Sequence, residues 1–152
     1  MQWYQFAINE NIWTADNGDV ETEIFEPIQT SIHTHRGDDI YFAPTFTREV
    51  LFEDFEIRPG VVIPAGDYRF QSARFHLTTT HARPVRWNVR VTLGEFFNGD
   101  RFQLSPSASW QPNRYIGMNI GAAYNDIELP GGEFETIVTS GGIRLTPNPR
   151  LS

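Results

Sequence analysis

A chain of 152 residues with 39% hydrophobic content can build one domain with an ordinary core, and the absence of cysteine excludes disulfide frameworks and thiolate metal sites. Its 19 acidic against 12 basic residues, a net charge of −7, argue against nucleic acid as a partner, because phosphate binding needs a basic footprint. No run approaches the roughly 18 apolar residues of a membrane helix, a test that says nothing about membrane β-strands.

Aromatic residues make up 14% of the chain, and Thr, Val and Ile recur between Gly, Pro, Asn and Asp clusters, so the sequence predicts an all-β protein. Eight strands are expected in an antiparallel up-and-down meander: Trp3–Thr14, Val20–Thr34, Asp39–Val50, Asp67–Thr80, Val85–Glu95, Arg101–Gln111, Tyr115–Ile127 and Phe134–Leu145. Each is near the roughly 9–11 residues that a tilted membrane strand needs. The connections Ala15–Asp19, Leu51–Gly66, Phe96–Asp100 and Asp126–Glu133 read as the looser set, and His35–Asp38, His81–Pro84, Pro112–Arg114 and Thr146–Arg150 as tight polar turns. Bacterial barrels keep long loops outside and short turns in the periplasm, which would turn both chain ends to the periplasm.

The strands from Val85 onward carry the sharpest signal. Val85 to Leu93 alternates apolar and polar residues without a slip, the period of a strand with two unlike faces. Phe102, Leu104, Pro106, Ala108 and Trp110 then share one face against Gln103, Ser105, Ser107 and Ser109. Ile116, Met118, Ile120, Ala122 and Tyr124 oppose Gly117, Asn119, Gly121, Ala123 and Asn125 in the same way. The expected arrangement has lipid outside and water inside. Trp87, Val89, Val91, Leu93, Phe102, Leu104, Trp110, Ile116, Met118, Ile120 and Tyr124 would face lipid; Arg86, Asn88, Arg90, Gln103, Asn119 and Arg144 would face the lumen.

Asn98-Gly99 predicts a two-residue type I′ hairpin, which would set Leu93 opposite Leu104 and Trp87 opposite Trp110. That tryptophan pair, with Tyr115, would form one aromatic girdle, and Phe97, Phe102, Tyr124 and Tyr68 the opposite rim. Pro106 inside a strand predicts a bulge, and so does an apparent change of phase near Ser72.

Residues for catalysis are sparse. His33 and His35 have the spacing of a ligand pair on a strand, but no third ligand accompanies them, and polar residues at a strand end is the expected reading. Glu21, Glu23 and Glu26, and again Glu53, Asp54 and Glu56, offer the paired carboxylates that glycoside hydrolysis uses, as any acidic β-protein does. Arg86, Arg90 and Arg144 are expected to pair with carboxylates such as Glu135 or to line an anion-selective pore. No catalytic constellation, nucleotide loop, cofactor site or metal site is expected.

Longer phrases are more specific. They run from Phe55 through Pro59-Gly60 to Phe70, from Gly94 through Asn98-Gly99 to Arg101, and from Trp110 to Arg114. Tyr124 through Pro130-Gly131-Gly132 to Thr136 and Thr146 to Ser152 complete them. In this order they resemble the C-terminal β-barrel domain of unknown function of large bacterial outer-membrane proteins that carry an N-terminal carbohydrate-binding-module family 9-like domain. The resemblance runs from about Val20 to Ser152 and implies part of a membrane barrel, with no catalytic residues to carry over. The family's barrel is longer and continues into another strand where this chain reaches Ser152, and Met1–Phe6 has none of the marks of a secretion leader. One β-barrel segment, residues 1–152, is therefore expected.

The expected function is that of an outer-membrane barrel segment, a passive pore or an anchor for a periplasmic carbohydrate-binding domain. Its partners would be the bilayer, the remaining strands of a larger barrel and that sugar-binding domain. The alternative is a soluble barrel or sandwich whose apolar faces turn inward around a small apolar ligand. A glycan-processing protein is a third reading, supported only by the company that the family keeps.

Overall fold

The protein is all-β. The computed structural model describes residues 2–15 and 18–146. Its strands are β1 (Trp3–Thr14), β2 (Val20–His33), β3 (Asp39–Leu51), β4 (Phe55–Arg58), β5 (Val61–Ile63), β6 (Gly66–Thr78), β7 (Val85–Phe96), β8 (Gly99–Trp110), β9 (Ile116–Leu129) and β10 (Gly132–Leu145). Eight of them form one antiparallel sheet in the order β1-β2-β3-β6-β7-β8-β9-β10, and β4 pairs only with β5. The sheet is open, with β1 and β10 as its two edges. No helix among the described residues is long and apolar enough to cross a membrane.

All eight expected strands are present, with ends shifted by a residue or two. Leu51–Gly66 differs in kind, since it holds a hairpin instead of a loose loop. Pro59 and Gly60 form its turn, where Pro fixes the first torsion and Gly60 supplies a φ of 85°. The predicted contrast in loop length also fails. Phe97-Asn98 and Pro130-Gly131 are two-residue turns on the side expected to be loose. Thr34–Asp38, Thr79–Pro84 and Gln111–Tyr115 are longer turns at the end where β1 begins and β10 stops. The predicted turn Thr146–Arg150 lies outside the described residues beyond Thr146.

The β7–β8 hairpin is displaced by two residues from the register that Asn98-Gly99 suggests. Leu93 faces Phe102, Val91 faces Leu104, Trp87 faces Ala108, and Trp110 faces Val85 instead of Trp87. Each residue keeps its face because the displacement is even. The turn is Phe97-Asn98, with Phe97 at a φ of 53°. Burial drives it: Phe97 enters a cluster with Ile63 and Phe70, backed by Leu51, Ile57, Tyr68, Phe96 and Leu129. Burying a phenylalanine yields about 1.5–3 kcal/mol, more than the roughly 1–2 kcal/mol that a left-handed non-glycine residue costs. Gly99 serves a different need: a Cβ there would lie 1.9 Å from the Glu128 carbonyl oxygen, so only glycine lets β8 start against β9.

Neither predicted bulge forms. Pro106 faces Val89, and the β8–β9 ladder skips Ser105 and Pro106 and resumes in the same register at Ser107–Gly121. β3 and β6 pair without a shift from Asp39–Thr78 to Leu51–Gly66, so Phe70 and Phe75 simply occupy opposite faces. The irregularity lies in β2, where pairing to both β1 and β3 slips within Phe25–Thr30, around Pro27.

Two contacts show that the sheet curls toward its polar face. Glu49 on β3 lies within Coulombic reach of Arg101 on β8, although β6 and β7 separate them; flat, those strands would stand about 14 Å apart. The β4–β5 hairpin leans across this hollow: Ile63 packs on Phe70, Val61 sits beside Gly132, and the Arg58 guanidinium lies 5.3 Å over the Phe134 ring.

Gly99→Ala is expected to cost about 1–3 kcal/mol through forced separation of β8 from β9. Gly141→Ala, whose added Cβ would meet only an atom at 3.7 Å, should be near neutral. Denaturant midpoints of the two variants in detergent check the contrast.

Candidate functional site

The two faces of the sheet are the functional feature. On one face lie Phe6 and Ile8 of β1, Ile28 of β2, Phe42 and Phe46 of β3, and Phe75 of β6. The same face continues through Trp87 and Leu93 of β7, Phe102 and Trp110 of β8, Met118 and Ile120 of β9, and Ile137 and Ile143 of β10. All of these are exposed, up to 75% for Ile8 and 67% for Ile120. The buried sheet residues Glu26, Ala43, Thr45, Phe70 and Ile127 all belong to the opposite face. A curved sheet buries side chains on its hollow side, so the polar face is concave and the apolar face convex.

The eleven residues expected to meet lipid share the convex face: Trp87, Val89, Val91, Leu93, Phe102, Leu104, Trp110, Ile116, Met118, Ile120 and Tyr124. Val89, Val91, Leu104, Ile116 and Tyr124 are half-buried between their neighbours, and the others are exposed. The expected rims are rearranged. Phe97 and Tyr68 belong to the concave cluster, where their rings meet edge to face at 5.1 Å and the Tyr68 hydroxyl donates to the Pro64 carbonyl at 2.7 Å. Phe102 and Tyr124 stay together on the convex face, with centroids 6.2 Å apart.

Arg86, Asn88, Arg90, Gln103, Asn119 and Arg144 share the concave face. Asn88 donates to His76 Nε2 at 2.8 Å and to Thr78 Oγ1 at 3.1 Å, which ties β7 to β6. The expected pairing of arginines with Glu135 does not occur. Glu135 stands on the convex face beside Tyr124 and Asp126, while Arg86 meets His81 and Arg144 stands over Gly117.

Sequence reasoning missed the most buried charge. Glu26 is fully buried and pairs with Arg74 of β6, and it accepts hydrogen bonds from Thr45 Oγ1 at 3.3 Å and from the Gln29 side chain. The β2 bulge produces this arrangement, because the slip at Pro27 puts both Glu26 and Gln29 on the concave face. Proline directly after a glutamate inside a strand was the available signal.

The ends of the sheet differ in charge. Glu21, Glu49, Asp67, Glu95, Asp100, Asp126, Glu128 and Glu133 crowd the end that holds the β4–β5 hairpin. At the other end, Asp38 links two turns by accepting the Thr80 amide at 2.9 Å and pairing with Arg83. Its carboxyl lies below the ordinary aspartate range, held there first by the Thr80 amide and then by Arg83, against the opposing effect of burial. His33 is held by Asp39 and stacked on Trp3 at 3.5 Å, whereas His35 is exposed in the turn. The described residues hold no group of three or more His, Cys, Asp or Glu arranged for a metal. Comparison with family models, with curated proteins and with solved structures found no match.

Arg74→Ala is expected to destabilise by about 3–5 kcal/mol, since it strands a buried carboxylate. Glu26→Gln should cost less, because Arg74 is 44% exposed and can turn to water. A double-mutant cycle of denaturation free energies with both changes should fall well short of additivity.

The Asp38 contribution should be complete above pH about 3.8 and fade as pH falls through its lower folded value. Hydrogen exchange at the Thr80 amide should follow that course, and Asp38→Asn should remove the pH dependence.

Proposed function

We propose that this sheet is a stretch of the wall of a bacterial outer-membrane β-barrel, with its convex face toward lipid and its concave face toward water. The observation that carries the reading is the apolar convex face, exposed on every strand of the sheet and interrupted by Glu10, Glu23, Arg48 and Arg69 on β1, β2, β3 and β6, while the buried sheet residues lie on the other side. A soluble barrel around an apolar ligand would have the reverse arrangement, with Met118 and Ile120 inside and Arg86 and Asn88 outside.

The open edges fit a segment of a larger barrel. Backbone N–H and C=O groups left unpaired in hydrocarbon cost several kcal/mol each, so β1 and β10 would need strands from the rest of the barrel beside them. The role is passive: a wall, a path for small solutes, or an anchor for a periplasmic carbohydrate-binding domain. The last of these follows from the resemblance stated for about Val20 to Ser152. The buried carboxylate of the concave face, Glu26, is held by Arg74 and Thr45.

Uptake of the chain into phospholipid vesicles tests the proposal. Ile120→Arg on the convex face should weaken insertion by about 2–4 kcal/mol, as arginine does near a bilayer midplane. Ser107→Arg on the concave face should have little effect. Full solubility in plain buffer without uptake into vesicles, or equal effects of the two variants, would overturn it.

A further inference from the structure

At the end of the sheet where β8 stops and β9 begins, the concave face holds a cavity of about 610 Å³. Arg83, Arg86, Arg114 and Arg144 line it together with His81, and no carboxylate does. Arg83 is answered by Asp38, as Arg48 is by Asp67 and Arg74 by Glu26. Arg86, Arg114 and Arg144 make no ion pair among the described residues. Their contacts are with groups other than carboxylates: Arg86 meets the His81 ring, Arg114 lies 4.7 Å over the Tyr115 ring, and Arg144 leans over Gly117. In a chain with 19 acidic residues, three unneutralised guanidinium groups around one hollow call for a reason.

Three segments are fastened together to make this hollow. The Gln111 amide donates to the Pro84 carbonyl at 3.3 Å, which joins the turn carrying His81 and Arg83 to the turn carrying Arg114. Asn113 Oδ1 accepts the Tyr115 and Ile116 amides at 2.9 and 3.0 Å and so fixes the second turn. The Thr146 amide donates to the Tyr115 carbonyl at 2.9 Å, which holds the end of β10, and Arg144 with it, against that turn. Within the sheet Arg86 stands on β7 and Arg144 on β10, three strand spacings or about 14 Å apart. Ser109 of β8 and Gly117 of β9 lie across from them and make the floor. Two cationic side chains thus flank a floor of small residues, and Arg114 joins them from the turn.

We infer that this hollow binds the phosphate group of a small water-soluble solute, either the free ion or a monoester. Charge and oxygen count select it. A phosphate monoester near pH 7 carries about −1.5 to −2 and presents three acceptor oxygens, whereas a carboxylate offers a single charge and two oxygens. The planar fork of arginine can also donate two parallel hydrogen bonds to phosphate oxygens. A phospholipid does not fit, because the apolar surface that would hold its chains is on the other side of the sheet. The inference rests on the reading of the concave face as water-facing and deepens it by naming a class of solute and a place.

Isothermal titration calorimetry of the full chain in dodecyl maltoside, in a phosphate-free buffer, tests the site with inorganic phosphate, glycerol 3-phosphate, acetate and glycerol. At least one of the phosphates should bind about tenfold or more tightly than acetate, and glycerol should give no heat. The tighter of the two phosphates identifies the occupant as free ion or ester. Arg86→Gln and Arg144→Gln should each weaken phosphate about tenfold, the loss of one charge-assisted hydrogen bond, with the denaturant midpoint unchanged. Arg90→Gln, on the same face outside the hollow, should bind as the unaltered chain does. Acetate as tight as phosphate, an equal loss in Arg90→Gln, or no heat with either phosphate would overturn the site and leave the wall reading standing. Phosphate binding by a chain that stays out of vesicles would keep the site and overturn the wall.

Discussion

A strand's side chains change face at every residue, so a sheet keeps two unlike faces only while its register holds. Along the eight-stranded sheet the ladders from β3 through β6 to β10 show no slip, which lets apolar residues from successive strands merge into one surface. Pro106, which lacks a ladder donor, is accommodated by two missing pairs and no shift. A single-residue bulge there would have carried Leu104 or Ala108 to the polar side. Order in the backbone ladder is thus the condition for everything that the faces do.

The slip in the middle of β2 is an exception that the sheet has stabilised; a further shift falls at the far end of the β1–β2 ladder, between Trp13 and Thr14. Glu26 sits where the ladder to both neighbours breaks, and it is bound by groups from β2, β3 and β6 at once. A buried carboxylate with a single paired cation is rarely worth its desolvation. Here it joins three strands around the bulge at which β2 slips against both of its partners, so its value lies in fixing the register there. The far end of the hollow is held differently, by the Ile63–Phe70–Phe97 cluster.

Most of the fold was legible because a period of two survives any uncertainty about strand ends. Trp87 and Ile120 could be assigned to one face, and Asn88 and Asn119 to the other, without knowing which residues faced them across the ladder. Pairing was less legible. Asn98-Gly99 is a strong local turn signal, yet the turn moved to Phe97-Asn98 because Phe97 has a distant partner in Ile63, a contact that no short window contains. The β4–β5 hairpin escaped for a related reason: with strands of four and three residues it has little periodicity to read. The candidate site was half legible. Residue faces followed from alternation, but the Glu26–Arg74 pair spans 48 positions (74 − 26), and the basic cavity depends on how two turns, Thr79–Pro84 and Gln111–Tyr115, meet the end of β10.

The β4–β5 hairpin has a geometric consequence. It is rooted between β3 and β6, yet its far side touches Gly132 and Phe134 of β10, so it acts as a tie across the mouth of the arc. A tie of fixed length sets the radius of the arc, and the radius sets how wide a gap separates the first strand from the last. In the proposed barrel wall, the span left for other strands to close would therefore be set by fourteen residues that belong to neither edge, the stretch from 52 to 65.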